Sequence, residues 1–124
     1  GDTNFLDSTI ARHDGRKVRL RLISGSEVSA DLPEGFTAPA VGQKVTAVVR
    51  PEHAKVSASG GAQLNGTLSN IVYVGTDTHY YVKIDGGGTF VARIQNSRGG
   101  DLGFRVGQEV GIAIEDNAVQ VLRD

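Results

Sequence analysis

The stretch Val41–Val56, VGQKVTAVVRPEHAKV, is answered near the other end of the chain by Val106–Val121, VGQEVGIAIEDNAVQV. The offset between the copies holds at 65 positions from Val41 and Val106 through to Val56 and Val121. In each copy a Val-Gly turn opens a run of alternating apolar residues: Val45, Ala47 and Val49 in one, Val110, Ile112 and Ile114 in the other. Such alternation marks a strand with one buried face, because successive side chains of a strand point to opposite sides. After a three-residue corner a second, shorter run follows, Ala54 and Val56 against Val119 and Val121. A repeat at fixed offset constrains the architecture before any single motif does. It predicts two similar β lobes, at about 1–60 and 61–124.

The echo continues upstream. Val18–Pro33 lies against Tyr80–Gln95 at an offset of 62, which places Leu20 on Val82, Gly25 on Gly87 and Ala30 on Ala92. Leu6, Thr9 and Ile10 fall on Leu64, Thr67 and Leu68 at an offset of 58. The rising offset means that the second lobe has gained residues, and the reading puts the gains around Val74–His79 and Ser97–Arg105. Each lobe then holds five strands, the strand count of a small OB-type barrel. The expected fold class is all-β: two OB-like lobes related by an approximate internal two-fold repeat.

Individual segments support this. Lys17–Ile23 alternates Val18, Leu20 and Leu22 against Lys17, Arg19 and Arg21, the pattern of a half-buried strand with a solvated basic face. Asp14-Gly15, Ser24-Gly25-Ser26 and Asp85-Gly86-Gly87-Gly88 are turn signals. Pro33–Gly42 reads as a loop with room for one turn of helix, and Ala58–Ala62 as the seam between the lobes. Gly66 interrupts the long strand Gln63–Val74 and marks a bulge or a close backbone approach. The inward set is Val18, Leu20, Val28, Val45, Val49, Val82, Ile84, Phe90, Ile94, Ile112 and Ile114.

Lobes of about 60 residues are marginal alone, so barrels sharing a buried face are expected rather than independent units. Thirteen Lys and Arg against fourteen Asp and Glu leave a formal net charge of −1, which gives no electrostatic reason to expect nucleic acid or an anionic membrane. There is no cysteine, which suits a cytosolic protein. No apolar run approaches the roughly 20 residues of a membrane span. The start at Gly1 and the lack of methionine point to a piece of a longer protein.

The catalytic motifs are missing. Neither the phosphate loop GxxxxGK[ST] nor GxGxxG occurs, and His13, His53 and His79 lie too far apart in sequence for an HxH or HxxxH metal pair. No catalytic residue, cofactor site or metal site is assigned. One feature stands apart. The first copy of the repeat carries Arg50-Pro51-Glu52 at its corner, where the second has Glu115-Asp116-Asn117. The repeat keeps the apolar flanks and discards the corner, so folding does not require this triplet. Two readings stand side by side: a strand-stopping proline beside a surface ion pair worth about 0–1 kcal/mol, or a contact to something outside the lobe. Arg50, Pro51 and Glu52 are therefore the candidate partner contact.

Taken together, GDTNFL, GQKVTAVVRPEHAKV, LNGTLSNIVYVGTDTHYYVKI, FVARIQN and VGQEVGIAIEDNAVQVL resemble the C-terminal regulatory domain of ATP-binding subunits of ABC importers. This is the transport-associated OB (TOBE) domain, nearest the spermidine/putrescine type. The firmest parts are Arg50-Pro51-Glu52, Tyr73-Val74-Gly75 with Thr78 and Tyr80, and Gln95-Asn96. The resemblance implies a nucleotide-binding domain outside this piece that holds ATP and magnesium, with no cofactor in the piece itself. It also implies a second copy of the subunit and the transporter's membrane subunits as partners, and a peripheral place on the cytoplasmic side of the membrane, without nucleic acid or membrane insertion. Two alternatives remain: a molybdate-like oxyanion-binding module, whose usual Ser-Ala-Arg-Asn run is missing from Gln63–Leu68, and an OB protein that stacks single-stranded nucleic acid on aromatics.

Overall fold

A computed structural model describes residues 3–58, 62–96 and 103–122. Ten strands follow in order: β1 (Asn4–Asp14), β2 (Lys17–Leu22), β3 (Glu27–Asp31), β4 (Lys44–Val49), β5 (Ala54–Ala58), β6 (Leu64–Val74), β7 (Asp77–Ile84), β8 (Thr89–Gln95), β9 (Glu109–Ile114) and β10 (Val119–Val121). The only helical piece among the described residues is a single 3-10 turn, Pro51–His53, between β4 and β5. No helix among them is long and apolar enough to cross a membrane.

The all-β, two-lobe fold is as the repeat predicts. The membership of the lobes is not. β1, β2, β3, β10 and β4 close a barrel in that order, and β5, β9, β6, β7 and β8 form a second five-stranded sheet. The fifth strand of each repeat thus sits in the lobe built by the other. β4 pairs antiparallel with β10, Val49 opposite Val119, and β9 pairs antiparallel with β5, Ile114 opposite Ala54. These two pairings are the same contact seen from the two repeats. A division near residue 60 therefore splits the sequence repeat but not the strands in space. The corner after β4 carries the chain across to the other sheet instead of reversing it onto β4, and the corner after β9 carries it back.

β2 and β7 bury every second residue, as their alternation requires: Val18, Leu20 and Leu22 in β2, Tyr80, Val82 and Ile84 in β7; β8 and β9 each bury three in a row, Phe90 to Ala92 and Val110 to Ile112. The two inner faces merge into one apolar cluster that includes Ile10, Leu20, Val49, Leu64, Leu68, Val82, Phe90, Ile112 and Val119. Of the expected inward set, Val45 and Ile94 are partly buried and pack against this core, and the rest are buried. Neither lobe has a complete core without the strand it receives, so the lobes are one folding unit.

Two local expectations change, and the one for Gly66 resolves to the second of its two readings. Pro33–Gly42 contains no helix; it makes two tight turns, one closed by Phe36 N–H donating to the Pro33 carbonyl and the other by Gln43 N–H donating to the Ala40 carbonyl, each at 3.0 Å. The irregularity in β6 lies between Leu68 and Asn70, not at Gly66. Gly66 is instead a close approach: a Cβ there would sit 2.1 Å from the backbone oxygen of Lys83. The first insertion is also not in the turn. Ile10 faces Leu20 as Leu68 faces Val82, and Arg12 faces Arg19 as Val72 faces His79. The gained residues are the pairs Asn70 opposite Tyr81 and Ile71 opposite Tyr80, inserted within the hairpin stem. Adding whole pairs preserves which face each flanking residue shows, where an odd addition would invert it. Ser97–Leu102 of the second insertion and Ser59–Gly61 of the seam lie outside the described residues.

Candidate partner-contact site

The Arg50-Pro51-Glu52 corner folds as a 3-10 turn because its residues favour one. Arg50 is extended, as the residue before a proline tends to be, and Pro51 starts the turn with its φ already set and its missing N–H not needed. His53 N–H donates to the Arg50 carbonyl at 3.0 Å. Pro51 is buried, so it belongs to the packing, whereas the Arg50 and Glu52 side chains are 70% and 34% exposed. The second corner spans the same number of residues but is built differently. It is a turn with Asn117 at φ 64°, a conformation Asn tolerates. The second repeat therefore does not rebuild the first corner with other residues; each corner has the shape its own residues favour.

Arg50 Nη1 lies 3.6 Å from Glu52 Oε2. The Glu52 carboxyl is held below its ordinary value, chiefly by its own backbone N–H, with Arg93, Arg50 and His53 adding to the effect. Arg93 comes from β8 and faces His79 on β7. Its Nε is 3.5 Å from Asp77 Oδ2. Thr3, Arg50, Pro51, Glu52, His79, Val91 and Arg93 line a cleft of about 190 Å³. Asp77, Arg93, Glu52 and Arg50 make a row of alternating charge along one rim, with the Arg50 guanidinium its most exposed member. Such a row can offer charge-assisted hydrogen bonds to a partner surface. It contains no paired nucleophile and base.

Arg50 and Glu52 are thus where the sequence placed them, at an exposed corner. Thr3, His79 and Arg93 were missed. The hairpin signal Asp85–Gly88 was enough to set Arg93 opposite His79. Nothing local could bring the first repeat's corner onto the second repeat's strands, because that follows from β5 crossing into the other sheet.

Asn4 holds the same region from the barrel side. Its Nδ2 donates to the Val91 carbonyl at 2.9 Å, and Val91 N–H donates to its Oδ1 at 2.8 Å. Both residues are buried, so the carboxamide does for β8 what a neighbouring strand would. Gln63 clips Ile114 in the same two-handed way, at 3.2 and 3.0 Å. Among the described residues no group of three or more His, Cys, Asp or Glu side chains is arranged to hold a metal. Of the aromatics, Phe5 and Tyr73 are the strongly exposed ones, and they stand on β1 and β6 instead of sharing one stacking face.

The TOBE domain family matches residues 47–122. The chain is 47% identical over its whole length to the spermidine/putrescine import ATP-binding protein PotA of Mesorhizobium japonicum and covers 33% of it. It is 42% identical to PotA of Ruegeria pomeroyi over its whole length, covering 32% of that protein. Against PotA of Rubrobacter xylanophilus it is 35% identical over 91% of the chain, covering 29% of that protein. The chain therefore spans about a third of the length of these curated relatives. Among solved structures, the cytoplasmic molybdate-binding protein ModG with molybdate bound superposes at a TM-score of 0.71 and 18% identity, over 94% of this chain and 92% of that one. At that identity the likeness is one of fold. The family match over more than half of the chain, with relatives above 40% identity along the whole of this chain, places this protein in the TOBE domain family.

Proposed function

We propose that this chain is the regulatory domain of the ATP-binding subunit of an ABC importer for polyamines of the spermidine/putrescine class. The observation that carries the reading is the 47% identity, sustained over the whole chain, to a spermidine/putrescine import ATP-binding protein. In this reading the nucleotide-binding domain lies elsewhere in the parent protein, on the cytoplasmic side of the membrane, and holds the ATP and magnesium. The present domain contacts that ATPase unit, a second copy of its own subunit and, through the parent chain, the membrane subunits. The Arg50–Glu52 corner, continued by Arg93, faces the ATPase partner. The Arg50 guanidinium is exposed and the Glu52 carboxyl partly so, and such a surface pair adds little to folding, so its use lies in contact.

The test uses Arg50→Ala and Glu52→Ala in the full-length importer and in this domain. Domain stability in denaturant is expected to fall by no more than about 1 kcal/mol, while ATP-driven spermidine uptake shifts several-fold. Unfolding by several kcal/mol would make the corner structural; unchanged stability and unchanged uptake would make it a plain surface turn. The isolated domain is expected to bind ATP no more tightly than about 100 μM, or roughly −5.5 kcal/mol. The ModG fold match favours one rival, an oxyanion-binding module. Calorimetry with molybdate and with sulfate separates the two: micromolar binding would support the rival, and none is expected.

A further inference from the structure

The outer face of the closed barrel carries charge that it does not balance itself. β1 lies between β2 and β4, and Thr9 stands directly opposite both Arg21 and Lys44. Residues opposite one another show the same face, so Thr9 has a cation on each side, with the two flanking backbones about 10 Å apart. The same row exists in the second lobe, where Thr67 stands opposite Lys83 and Glu109. There the flanking charges are of opposite sign and neutralise the row. In the first lobe Arg21 gives one nitrogen, Nη2, to Glu27 at 3.1 Å. Lys44 has no ion pair among the described residues.

The next row along β1 is acidic. Asp7 shares the face of Thr9 at about 7 Å along the strand, and its opposite on β4 is the uncharged Thr46. Asp7 also has no ion pair among the described residues. Its counterpart in the second lobe, at the offset of 58, is Asn65. Asp7, Thr9, Arg21 and Lys44 all border one cavity of about 510 Å³, a volume suited to a small molecule. Part of the remaining wall is apolar, with Phe36 from the loop before β4 and Leu122 after β10.

We infer that this cavity binds a small zwitterion, an ω-amino acid whose carboxylate lies over Thr9 between Arg21 and Lys44 and whose ammonium meets Asp7. Each part of the site selects one part of that ligand. Two cations and a hydroxyl give a carboxylate charge-assisted hydrogen bonds. Asp7 repels a bare anion and calls for a cationic end. The spacing of about 7 Å suits an ammonium and a carboxylate separated by about three or four methylene groups, and is too long for an α-amino acid. Those methylenes have the apolar part of the wall to lie against. So small a ligand, held by partly solvated charges, binds modestly, with a Kd on the order of 0.3 mM. The inference concerns the barrel of this chain alone and does not rest on the importer reading.

The experiment is a titration of the ¹⁵N-labelled domain with 5-aminovalerate and with γ-aminobutyrate, each to about 5 mM, well above that Kd. Saturable amide shifts are expected at Asp7–Thr9, Arg21 and Lys44–Thr46, and not in the Thr67 row. Valerate lacks the ammonium, putrescine lacks the carboxylate, and leucine holds its two charges too close. Each of the three is expected to bind at least tenfold more weakly than 5-aminovalerate. Lys44→Glu, which gives the row the mixed charges of the second lobe, and Asp7→Asn should each weaken 5-aminovalerate at least tenfold. Both side chains are exposed, so the rest of the spectrum should not change. No saturable shift with either zwitterion overturns the proposal. So do shifts that map elsewhere, a one-ended or α-amino ligand that binds as well, or variants that bind like the wild type. None of these readouts involves uptake or the Arg50–Glu52 corner, so either reading can fail while the other stands.

Discussion

The two lobes share a strand pattern yet close differently. In the first, β3 pairs parallel with β10, Ala30 beside Val119 and Asp31 beside Gln120, and the barrel is complete. The equivalent strands of the second, β8 and β5, are not paired, and the sheet stays open there. By the repeat offsets, closure would set Arg93 beside Lys55, two cations on neighbouring strands, where the first lobe has Asp31 beside Gln120. The open edge of β8 is capped by Asn4 instead, and the 3-10 corner lies beside it. One repeated pattern thus yields a closed barrel whose outer face carries its own ion pairs, and an open one whose seam borders the candidate contact site.

The largest effect should come from separating the repeats. Residues 1–60 and 61–124, produced as two peptides, are each expected to lack a fixed fold, because each keeps a fifth strand that belongs to the other. Mixed together they should recover the amide dispersion of the intact chain; two well-dispersed independent spectra would refute the exchanged pairing. Next comes Gly66→Ala. Its Cβ would press on the Lys83 backbone, which cannot swing aside as a side chain could, so a loss of about 3 kcal/mol or more is expected in urea unfolding. Ser8, facing Leu22 as Gly66 faces Ile84, already carries a Cβ. Ser8→Ala loses one hydrogen bond, to the Leu6 carbonyl, and should cost no more than about 1 kcal/mol.

The two carboxamide clips should differ in the same sense. Asn4→Ala strands a buried N–H and carbonyl on Val91 and is expected to cost about 2–4 kcal/mol, with hydrogen exchange at Val91 accelerated. Gln63→Ala exposes a part-buried pair on Ile114 to water and should cost about 1 kcal/mol. If the two losses are equal, the open seam is not what makes Asn4 important.

The smallest effect concerns the first lobe's charged face. The Glu27 carboxyl is held below its ordinary value of 4.5 by the hydrogen bond from Arg21, with Arg12 and Arg19 adding to it. A carboxyl that binds its proton less readily folded than unfolded contributes stability above about 4.5. That contribution is lost as pH falls through the lower folded value. Glu27→Gln should therefore lower the denaturant midpoint slightly near pH 7 and leave it unchanged well below pH 4.5, which flattens the acid decline. An unchanged acid slope would show that the three guanidinium groups are solvated independently of Glu27.

Much of this protein is a local property of its sequence. Alternation at period two determined the strands and nearly all of the core, because burial of one face is decided residue by residue along each strand. Glycine and Asp-Gly signals determined the turns for the same reason, and the departure of Arg50-Pro51-Glu52 from the repeat singled out an exposed corner. The pairing of strands is not local. Ala54–Val56 and Val119–Val121 are equally good fifth strands for either lobe, so pattern alone could not assign them; only the direction in which each corner carries the chain does so. That one tertiary decision brings Arg93 and His79 of the second repeat to the corner of the first, leaves Val91 to be capped by Asn4, and fuses two marginal lobes into a single core.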